Sequence, residues 1–269
     1  MTPTAYRTPA MLDHATLNQL RTLKLHGFAN ALEEQMRLTN THAMSFEERL
    51  ALLVDREVHN RDERKQTRLL QKAQLKFPRA AIEDFDNRTG RGIERKQFMG
   101  LALSDWIGHG DTILLTGPTG VGKTWLACAL GQYACRRGHG VLYLRVPRLT
   151  EELRVLHGSG GFGKWLLQLA RTAVLILDDW GVASLDPLTR GDLLEIIDDR
   201  AAHKATIITT QLPVDHWHAW IGDATIADAI LDRVMQRVQR INLGGESLRK
   251  PPASATHASA KVHASDLQA

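Results

Sequence analysis

The sequence contains no run of about 18 apolar residues, the length that a transmembrane helix requires. Its first ten residues are polar and lack the apolar core of a secretory signal. Only 2 of its 269 residues are cysteines, which is too few for a disulfide framework, and Cys128 and Cys135 fall in one predicted helix. We therefore expect a cytoplasmic protein with reduced thiols and no membrane segment.

Neither sign of charge dominates the composition. Lys and Arg total 34 and Asp and Glu total 30, for a net charge of +4. Hydrophobic residues make up 43% and charged residues 24%, which is typical of soluble globular proteins. The small positive excess only hints at a polyanionic partner, so the positions of the charges are more informative.

The first 79 residues carry helical patterns and no strand pattern. Between residues 13 and 37, apolar residues recur at helical spacing, and Gly27 can divide this stretch into two helices. Ser45 and Glu48 fit a capping box, which predicts a helix that runs to Phe77 and stops at Pro78. Its predicted apolar face comprises Phe46, Leu50, Leu53 and Val58. We predict a small all-helical N-terminal domain over residues 1–79.

A basic stripe follows one side of the second half of this helix. Its members are spaced mainly by three or four: Arg61, Arg64, Lys65, Arg68, Lys72, Lys76 and Arg79. Most charge runs are simply solvated helix faces. The spacing also suits a surface that follows a phosphate backbone, and the remainder of the chain favours this nucleic-acid interpretation.

Strands alternate with helices between residues 111 and 243. The predicted strands are 112–116, 141–145, 173–178, 205–210 and 238–243. Such alternation predicts an α/β fold with a parallel five-stranded sheet flanked by helices. We assign residues 80–250 to this domain and predict a disordered tail over 251–269, which has few large apolar residues.

The most specific motif is Gly-Pro-Thr-Gly-Val-Gly-Lys-Thr at residues 117–124, which fits the P-loop pattern. An apolar strand precedes it and a helix follows it, which is the context that the motif requires. Glycines let successive N–H groups surround phosphate oxygens, Lys123 reaches the terminal phosphates and the Thr124 hydroxyl holds Mg²⁺. The predicted nucleotide-binding residues are Gly117, Pro118, Thr119, Gly120, Val121, Gly122, Lys123, Thr124 and Trp125.

Two carboxylates follow the apolar strand 174–177. This strand delivers Asp178 to the sheet edge where the P-loop opens, so Asp178 is a predicted Mg²⁺ ligand together with Thr124. Asp179 is placed to activate a water for attack on the γ-phosphate, as a general base. The alternative, a helix N-cap followed by an acidic first turn, is disfavoured behind a good P-loop.

Further polar residues complete the predicted site with less specificity. Thr210 and Gln211 end the next strand, where they either sense the γ-phosphate or merely begin a turn. Arg233 and Arg249 are candidates to neutralise charge on the transferred phosphoryl group. The residues alone leave Arg237 and Arg240 open as well.

With these motifs in place, the chain resembles the IstB-like transposition helper ATPases of insertion sequences, which are AAA+ proteins related to DnaC-type helicase loaders. The resemblance covers about residues 17–250. It is most specific at 114–129 and 175–181, weaker at 227–233 and 245–249, and includes the N-terminal segment 23–28.

The resemblance implies roles for matching residues. Residues 117–124 match Walker A, and Asp178 with Asp179 matches Walker B. Gln211 or Thr210 falls at sensor 1, Arg233 matches an arginine finger that acts on a neighbouring subunit, and Arg249 matches sensor 2. The second Walker B carboxylate is Asp where most AAA+ proteins carry Glu, so we expect slow hydrolysis.

The family further implies ATP and Mg²⁺ as cofactors and homo-oligomers, as rings or helical filaments. These would bind duplex DNA, largely independently of sequence, and recruit a cognate transposase. A DnaC-like helicase loader is the main alternative. A nucleoside or nucleotide kinase lacks support because no arginine-rich lid is evident, and an adaptor that binds ATP without hydrolysis stays open.

Overall fold

The computed structural model describes residues 9–38, 43–85 and 92–248. The chain separates into two compact units, which comprise the described parts of residues 1–74 with 134–141 and of residues 75–133 with 142–269. The predicted domain limits at residues 79 and 250 stay predictions, and the predicted disordered tail lies outside the described residues.

Three helices form the body of the first unit: α1 (Pro9–Thr22), α2 (His26–Arg37) and α3 (Phe46–Ala73). The chain breaks between α1 and α2 at Lys24, whose φ is 61°. Gly27, the predicted break, lies inside α2. A Cβ on Gly27 would meet the Arg56 carbonyl oxygen at 2.6 Å, so this glycine permits close packing of α2 on α3.

The capping box at the start of α3 is confirmed. The Ser45 hydroxyl accepts a hydrogen bond from the Glu48 N–H, and the Glu48 carboxylate accepts one from the Ser45 N–H at 2.8 Å. The predicted end at Phe77 is wrong. The helix ends at Ala73 because Gln74 turns into the left-handed region with φ 51°, before Pro78 can act.

The predicted apolar face of α3 is also wrong in most positions. Leu53 is buried, but Phe46 is 64% exposed, Val58 53% and Leu50 39%. Helix α2 packs on α3 along the side that carries Leu53 and Glu57, and one helix covers only one side of another. Phe46, Leu50 and Val58 therefore face outward.

The second unit contains the predicted five-stranded parallel sheet flanked by helices, which is confirmed. Its strands are β1 (Thr112–Thr116), β2 (Val141–Arg145), β3 (Val174–Trp180), β4 (Ala205–Thr210) and β5 (Val238–Asn242), in the spatial order β2-β3-β4-β1-β5. The helices that accompany them are α4 (Arg95–Leu103), α5 (Trp106–His109), α6 (Lys123–Arg136), α7 (Val146–Gly158), α8 (Phe162–Arg171), α9 (Pro187–Asp198), α10 (Trp217–Ile221) and α11 (Ala224–Met235).

The three central strands are almost continuously buried because both of their faces are covered. Parallel pairing keeps their carboxyl ends level, since Thr116 of β1 pairs with Thr210 of β4 and with Asn242 of β5. The polar residues at these ends therefore collect at one edge of the sheet. Within residues 9–38, 43–85 and 92–248, no helix has the length and apolar character of a membrane span.

Candidate nucleotide-binding site

The P-loop connects β1 to α6 at the carboxyl edge of the sheet. Gly117 and Gly120 have φ of 138° and 88°, which disfavour other residues. A Cβ on Gly117 would lie 2.1 Å from the Leu243 carbonyl oxygen, and one on Gly120 would lie 2.2 Å from the Ser247 hydroxyl. These glycines therefore also admit the chain after β5, a contact that the sequence motif did not reveal.

Lys123 and Thr124 open α6 directly behind the loop. The Lys123 ammonium donates hydrogen bonds of 2.8 Å to the carbonyl oxygens of both Gly117 and Pro118, so its positive charge lies across the loop. The Thr124 hydroxyl donates to Asp178 Oδ1 at 2.8 Å. The fold thus joins the two residues that the sequence nominated as Mg²⁺ ligands, although they are 54 positions apart.

A β-bulge places two consecutive carboxylates, Asp178 and Asp179, at this edge. Leu177 pairs with Ile208 and Trp180 with Thr210, so Asp178 and Asp179 together stand opposite Thr209. Asp179 takes a φ of 61°, a left-handed conformation that aspartate tolerates better than most residues. In a regular strand, two consecutive side chains would point to opposite faces of the sheet.

Asp178 is fully buried and well supplied with hydrogen-bond donors. Besides Thr124, the Thr209 hydroxyl donates to Oδ1 at 2.5 Å and the Tyr143 hydroxyl donates to Oδ2 at 2.6 Å. Burial, and then the bond to Asp178, raise the pKa of Tyr143 far above its ordinary value, so it stays a donor. Sequence reasoning missed Tyr143 and Thr209, although each is a polar residue in a buried strand.

Asp179 is held by an arginine that sequence reasoning also missed. Arg145, at the end of β2, donates to Asp179 Oδ2 from Nη2 at 2.8 Å and from Nε at 3.2 Å. These hydrogen bonds raise the pKa of Arg145. The Asp179 N–H donates to the Thr209 hydroxyl at 3.1 Å, which fixes the backbone of the bulge.

The donor set at this edge fits a magnesium ion. A hydroxyl and a carboxylate are hard oxygen ligands, and Mg²⁺ in nucleotide sites takes few protein ligands beside water and phosphate. In the described part of the chain, no group of three or more His, Cys, Asp or Glu residues could hold a metal by itself. Thr124 and Asp178 are therefore the residues that would hold Mg²⁺ together with a nucleotide.

The two residues after Thr209 have different surroundings. Thr210 is buried and donates to the Trp180 carbonyl oxygen at 2.8 Å, so it supports the strand. Gln211 is exposed, and its Oε1 accepts a hydrogen bond of 2.5 Å from the Thr119 hydroxyl. Of the two sensor candidates, Gln211 is the one that contacts the P-loop.

The candidate arginines lie on several elements. Arg233, on α11, pairs with Asp198 and donates to the Ala229 carbonyl oxygen at 3.0 Å. Arg237 donates to the His109 carbonyl oxygen and Arg240 to the Met235 sulfur. Arg249 lies outside the described residues, but the Leu248 N–H just before it donates to the Gly120 carbonyl oxygen at 3.0 Å.

The basic stripe is shorter than predicted. Five of its residues share an arc of about 100° on α3 and are exposed: Arg61, Arg64, Lys65, Arg68 and Lys72. Arg61 is paired with the buried Glu57 at 2.7 Å. Lys76 and Arg79 follow the end of the helix, and Lys76 belongs to the second unit, where its ammonium lies 3.9 Å from Asp178 Oδ2. The prediction that the stripe continues to Lys76 along one helix side is therefore wrong.

Solved structures of low sequence identity share the fold of about three fifths of this chain. A crystal structure of the DnaC helicase loader superposes with a TM-score of 0.53 at 21% identity, covering 61% of this chain and 96% of the other. AMPPCP-bound DnaA from Aquifex aeolicus gives a TM-score of 0.52 at 19% identity, covering 62% and 51%. At such identities the likeness shows the AAA+ fold alone.

Sequence relatives are much closer. The chain is 55% identical over 203 residues to a protein of Pseudomonas fluorescens named as the ATP-binding protein of insertion sequence IS1162, which covers 76% of this chain and 88% of the relative. It is 47% identical over 240 residues to an insertion-sequence ATP-binding protein of Sinorhizobium fredii (strain NBRC 101917 / NGR234), covering 89% and 98%. The model of one family, described as IstB-like ATP binding protein, matches residues 18–256. The resemblance inferred from the motifs is thus confirmed, and the chain belongs to the IstB-like ATP binding protein family.

Proposed function

We propose that this protein is an ATP-dependent, DNA-binding regulator of transposition that acts in the cytoplasm. The proposal rests on one observation above others: a P-loop threonine hydrogen-bonded to a buried Walker B aspartate, in a chain whose relatives are named as insertion-sequence ATP-binding proteins. ATP would hold subunits together on duplex DNA, the assembly would recruit and stimulate a transposase, and hydrolysis would reset it.

The P-loop supplies the phosphate-binding part of this proposal. Its backbone N–H groups and the start of α6 favour phosphate oxygens, and Lys123 moves its ammonium from the loop carbonyls to the terminal phosphates. Thr124 and Asp178 would hold Mg²⁺, which would supply positive charge to neutralise the phosphates. Gln211, through Thr119, responds to the position of the loop.

Hydrolysis needs Asp179 to reach a water, and here its carboxylate is occupied by Arg145. Asp179 must exchange this ion pair for a water before it can act as a general base. The exchange requires a rearrangement at the end of β2, where Arg145 lies. Slow hydrolysis that DNA or a partner stimulates is consistent with this arrangement.

A second subunit completes the site in this proposal. Arg233 would leave Asp198 to stabilise the phosphoryl group of a neighbour's ATP, and Arg249 would approach the phosphates of its own subunit. ATP then favours the assembled state to the extent that it binds that state more tightly than the free subunit. A ring and a helical filament are both compatible with such a shared site.

The basic face of α3 is the proposed DNA contact. Arg64, Lys65, Arg68 and Lys72 are exposed and share one side of the helix, whereas Arg61 is partly neutralised by Glu57. Assembly brings many such faces to one DNA duplex, so individually weak phosphate contacts add. Contacts of this kind do not read bases, so binding would be largely independent of sequence.

The transposase is proposed as a partner because relatives are named for insertion sequences. A helicase loader is the alternative, but the DnaC likeness is one of fold, and fold does not decide function. The two functions can be separated by measuring whether the purified protein binds a transposase encoded beside it or a replicative helicase.

The central experiment compares Lys123→Ala with the wild-type chain on duplex DNA. Without the Lys123 ammonium the protein should lose ATP binding and stable DNA assemblies, measured by fluorescent-nucleotide titration and by electron microscopy with an ATP analogue. Lys96→Ala, on the exposed surface of α4, is the matched control. DNA assemblies that form unchanged in Lys123→Ala would contradict the proposal.

A further inference from the structure

The Walker B carboxylate Asp178 has a positively charged neighbour that the P-loop motif does not supply. Lys76 Nζ lies 3.9 Å from Asp178 Oδ2, and the Asp178 side chain is fully buried. The two carboxylate oxygens have separate partners. Thr124 and Thr209 donate to Oδ1, whereas Tyr143 and Lys76 approach Oδ2.

Three hydroxyl donors satisfy the hydrogen-bonding capacity of Asp178 but leave its net charge. A buried carboxylate is costly unless an opposite charge lies close to it. When a nucleotide and Mg²⁺ are bound, the metal supplies that charge. In their absence, Lys76 is a cation within ion-pair distance of Asp178.

The position of Lys76 is fixed by its neighbours in the second unit. Leu75 is buried, and the backbone of Lys76 and Phe77 lies beside the Cys128 thiol. Cys128 lies on α6, one helical turn after Thr124. The left-handed turn at Gln74 ends α3 and directs the chain to this place, so the ammonium stands beside the nucleotide site.

We propose that Lys76 is a built-in counter-ion of Asp178, which balances the buried carboxylate when Mg²⁺ is absent and competes with Mg²⁺ when it binds. Lys76 is then a positioning residue that sets the magnesium dependence of nucleotide binding. This inference rests on the proposed ATP site. It adds a residue outside every motif of that site, and it gives the Lys76 charge a role other than contact with DNA.

The test is a Mg²⁺ titration of the binding of a fluorescent ATP analogue, carried out on the full chain without DNA. Lys76→Met should lower the Mg²⁺ concentration at half-maximal binding by about three- to tenfold, because a competing cation is lost. The same variant should melt at a lower temperature than the wild type in EDTA and recover more on addition of Mg²⁺. Lys76→Arg keeps the charge and should retain the wild-type midpoint.

Lys96→Met is the matched control, since it removes an exposed lysine from α4. A Lys76→Met midpoint within twofold of the wild type, or a Lys96→Met shift of equal size, would overturn the role of Lys76. Lys76→Gln replaces Lys76→Met in the same titration if the methionine variant does not fold. A wild-type chain that binds no nucleotide at any Mg²⁺ concentration would instead contradict the proposed function.

Discussion

Asp178 and Asp179 are chain neighbours with opposite surroundings. Asp178 is buried among hydroxyl groups, which suits a residue that holds a metal in a fixed position. Asp179 is partly exposed and pairs with Arg145, whose long side chain can move away. At the scale of single residues, the bulge opposite Thr209 therefore separates a carboxylate that hydroxyl groups hold in place from one that Arg145 must release before it can take its proposed part in proton transfer.

Asp179→Asn should keep nucleotide binding but lose hydrolysis by about a hundredfold or more, because the amide cannot accept a proton from the attacking water. The DNA-bound state should then persist after ATP addition. Phosphate release and the lifetime of the DNA complex measure the two effects. Asp215→Asn, at an exposed position, is the control. Rapid release of DNA by Asp179→Asn would argue against hydrolysis as the reset.

The surroundings of Glu57 predict that the stability of the first unit depends on pH. Burial raises its pKa, but the Arg61 side chain and the backbone N–H of Phe28 lower it more, so the folded-state pKa lies below 4.5. The stabilisation is therefore present above about pH 4.5 and is lost as the pH falls through the folded-state value.

Glu57→Gln should cost about 1–3 kcal/mol at pH 7, since it weakens two charge-assisted hydrogen bonds. Between about pH 5 and 3, the free energy of unfolding of the variant should also decrease less than that of the wild type. Denaturant unfolding across this pH range measures both effects. Glu63→Gln, an exposed residue on the same helix, supplies the comparison. Equal acid sensitivity in the Glu57→Gln and wild-type chains would exclude this role.

Helix α3 carries two kinds of exposed surface. Its first half exposes Phe46, Leu50 and Val58, and its second half exposes the basic residues. The capping box fixes the helix start and Gln74 fixes its end. At the scale of elements, the helix end at Gln74 leaves Lys72 on the basic face of α3, whereas Lys76 lies beyond the helix and near Asp178.

Four residues are neutralised together in this variant: Arg64, Lys65, Arg68 and Lys72. The binding constant for duplex DNA should then depend less steeply on salt concentration, by the equivalent of up to about four phosphate contacts. Fluorescence anisotropy at several salt concentrations measures this slope. A control chain with four other neutralised residues, Lys96, Arg148, Arg171 and Lys204, has the same net charge. An unchanged slope in the α3 variant would indicate that the basic face is an ordinary solvated helix surface.

For the whole molecule, the proposed site is shared between copies. Arg233 is engaged with Asp198 within its own chain, a partly exposed pair that contributes little stability and can be exchanged. The proposed finger role therefore requires only a modest rearrangement of α11. A shared site also predicts that two inactive variants can complement one another when mixed.

Arg233→Ala and Lys123→Ala should each abolish DNA-stimulated hydrolysis alone, whereas a mixture of the two should recover part of it. In the mixture, an Arg233→Ala subunit binds ATP and a Lys123→Ala neighbour supplies the arginine. Arg237→Ala mixed with Lys123→Ala tests specificity, because Arg237→Ala alone should remain active. No recovery at any ratio would exclude Arg233 as a finger in trans.

The sequence by itself determined the nucleotide site class and the sheet. Spacing within residues 117–124 is local. Buried strands are rich in β-branched and apolar residues, so strand positions such as 112–116 and 205–210 could be predicted directly. Asp178 was identifiable because an apolar strand ended in carboxylates. The family resemblance was most specific at the P-loop and at the strand that ends in Asp178 and Asp179.

Only the tertiary structure decided the contacts that join distant segments. Three side chains donate to aspartates that lie 31 to 35 positions away along the chain, and no local pattern marks them as partners: Tyr143, Arg145 and Thr209. The helix end at Gln74 depends on a single left-handed residue, and the burial of α3 depends on which side α2 covers. Pairing across strands and helix packing are long-range effects that sequence periodicity does not report. Periodicity therefore predicted Lys76 as part of the basic stripe, whereas in the folded chain Lys76 lies near Asp178.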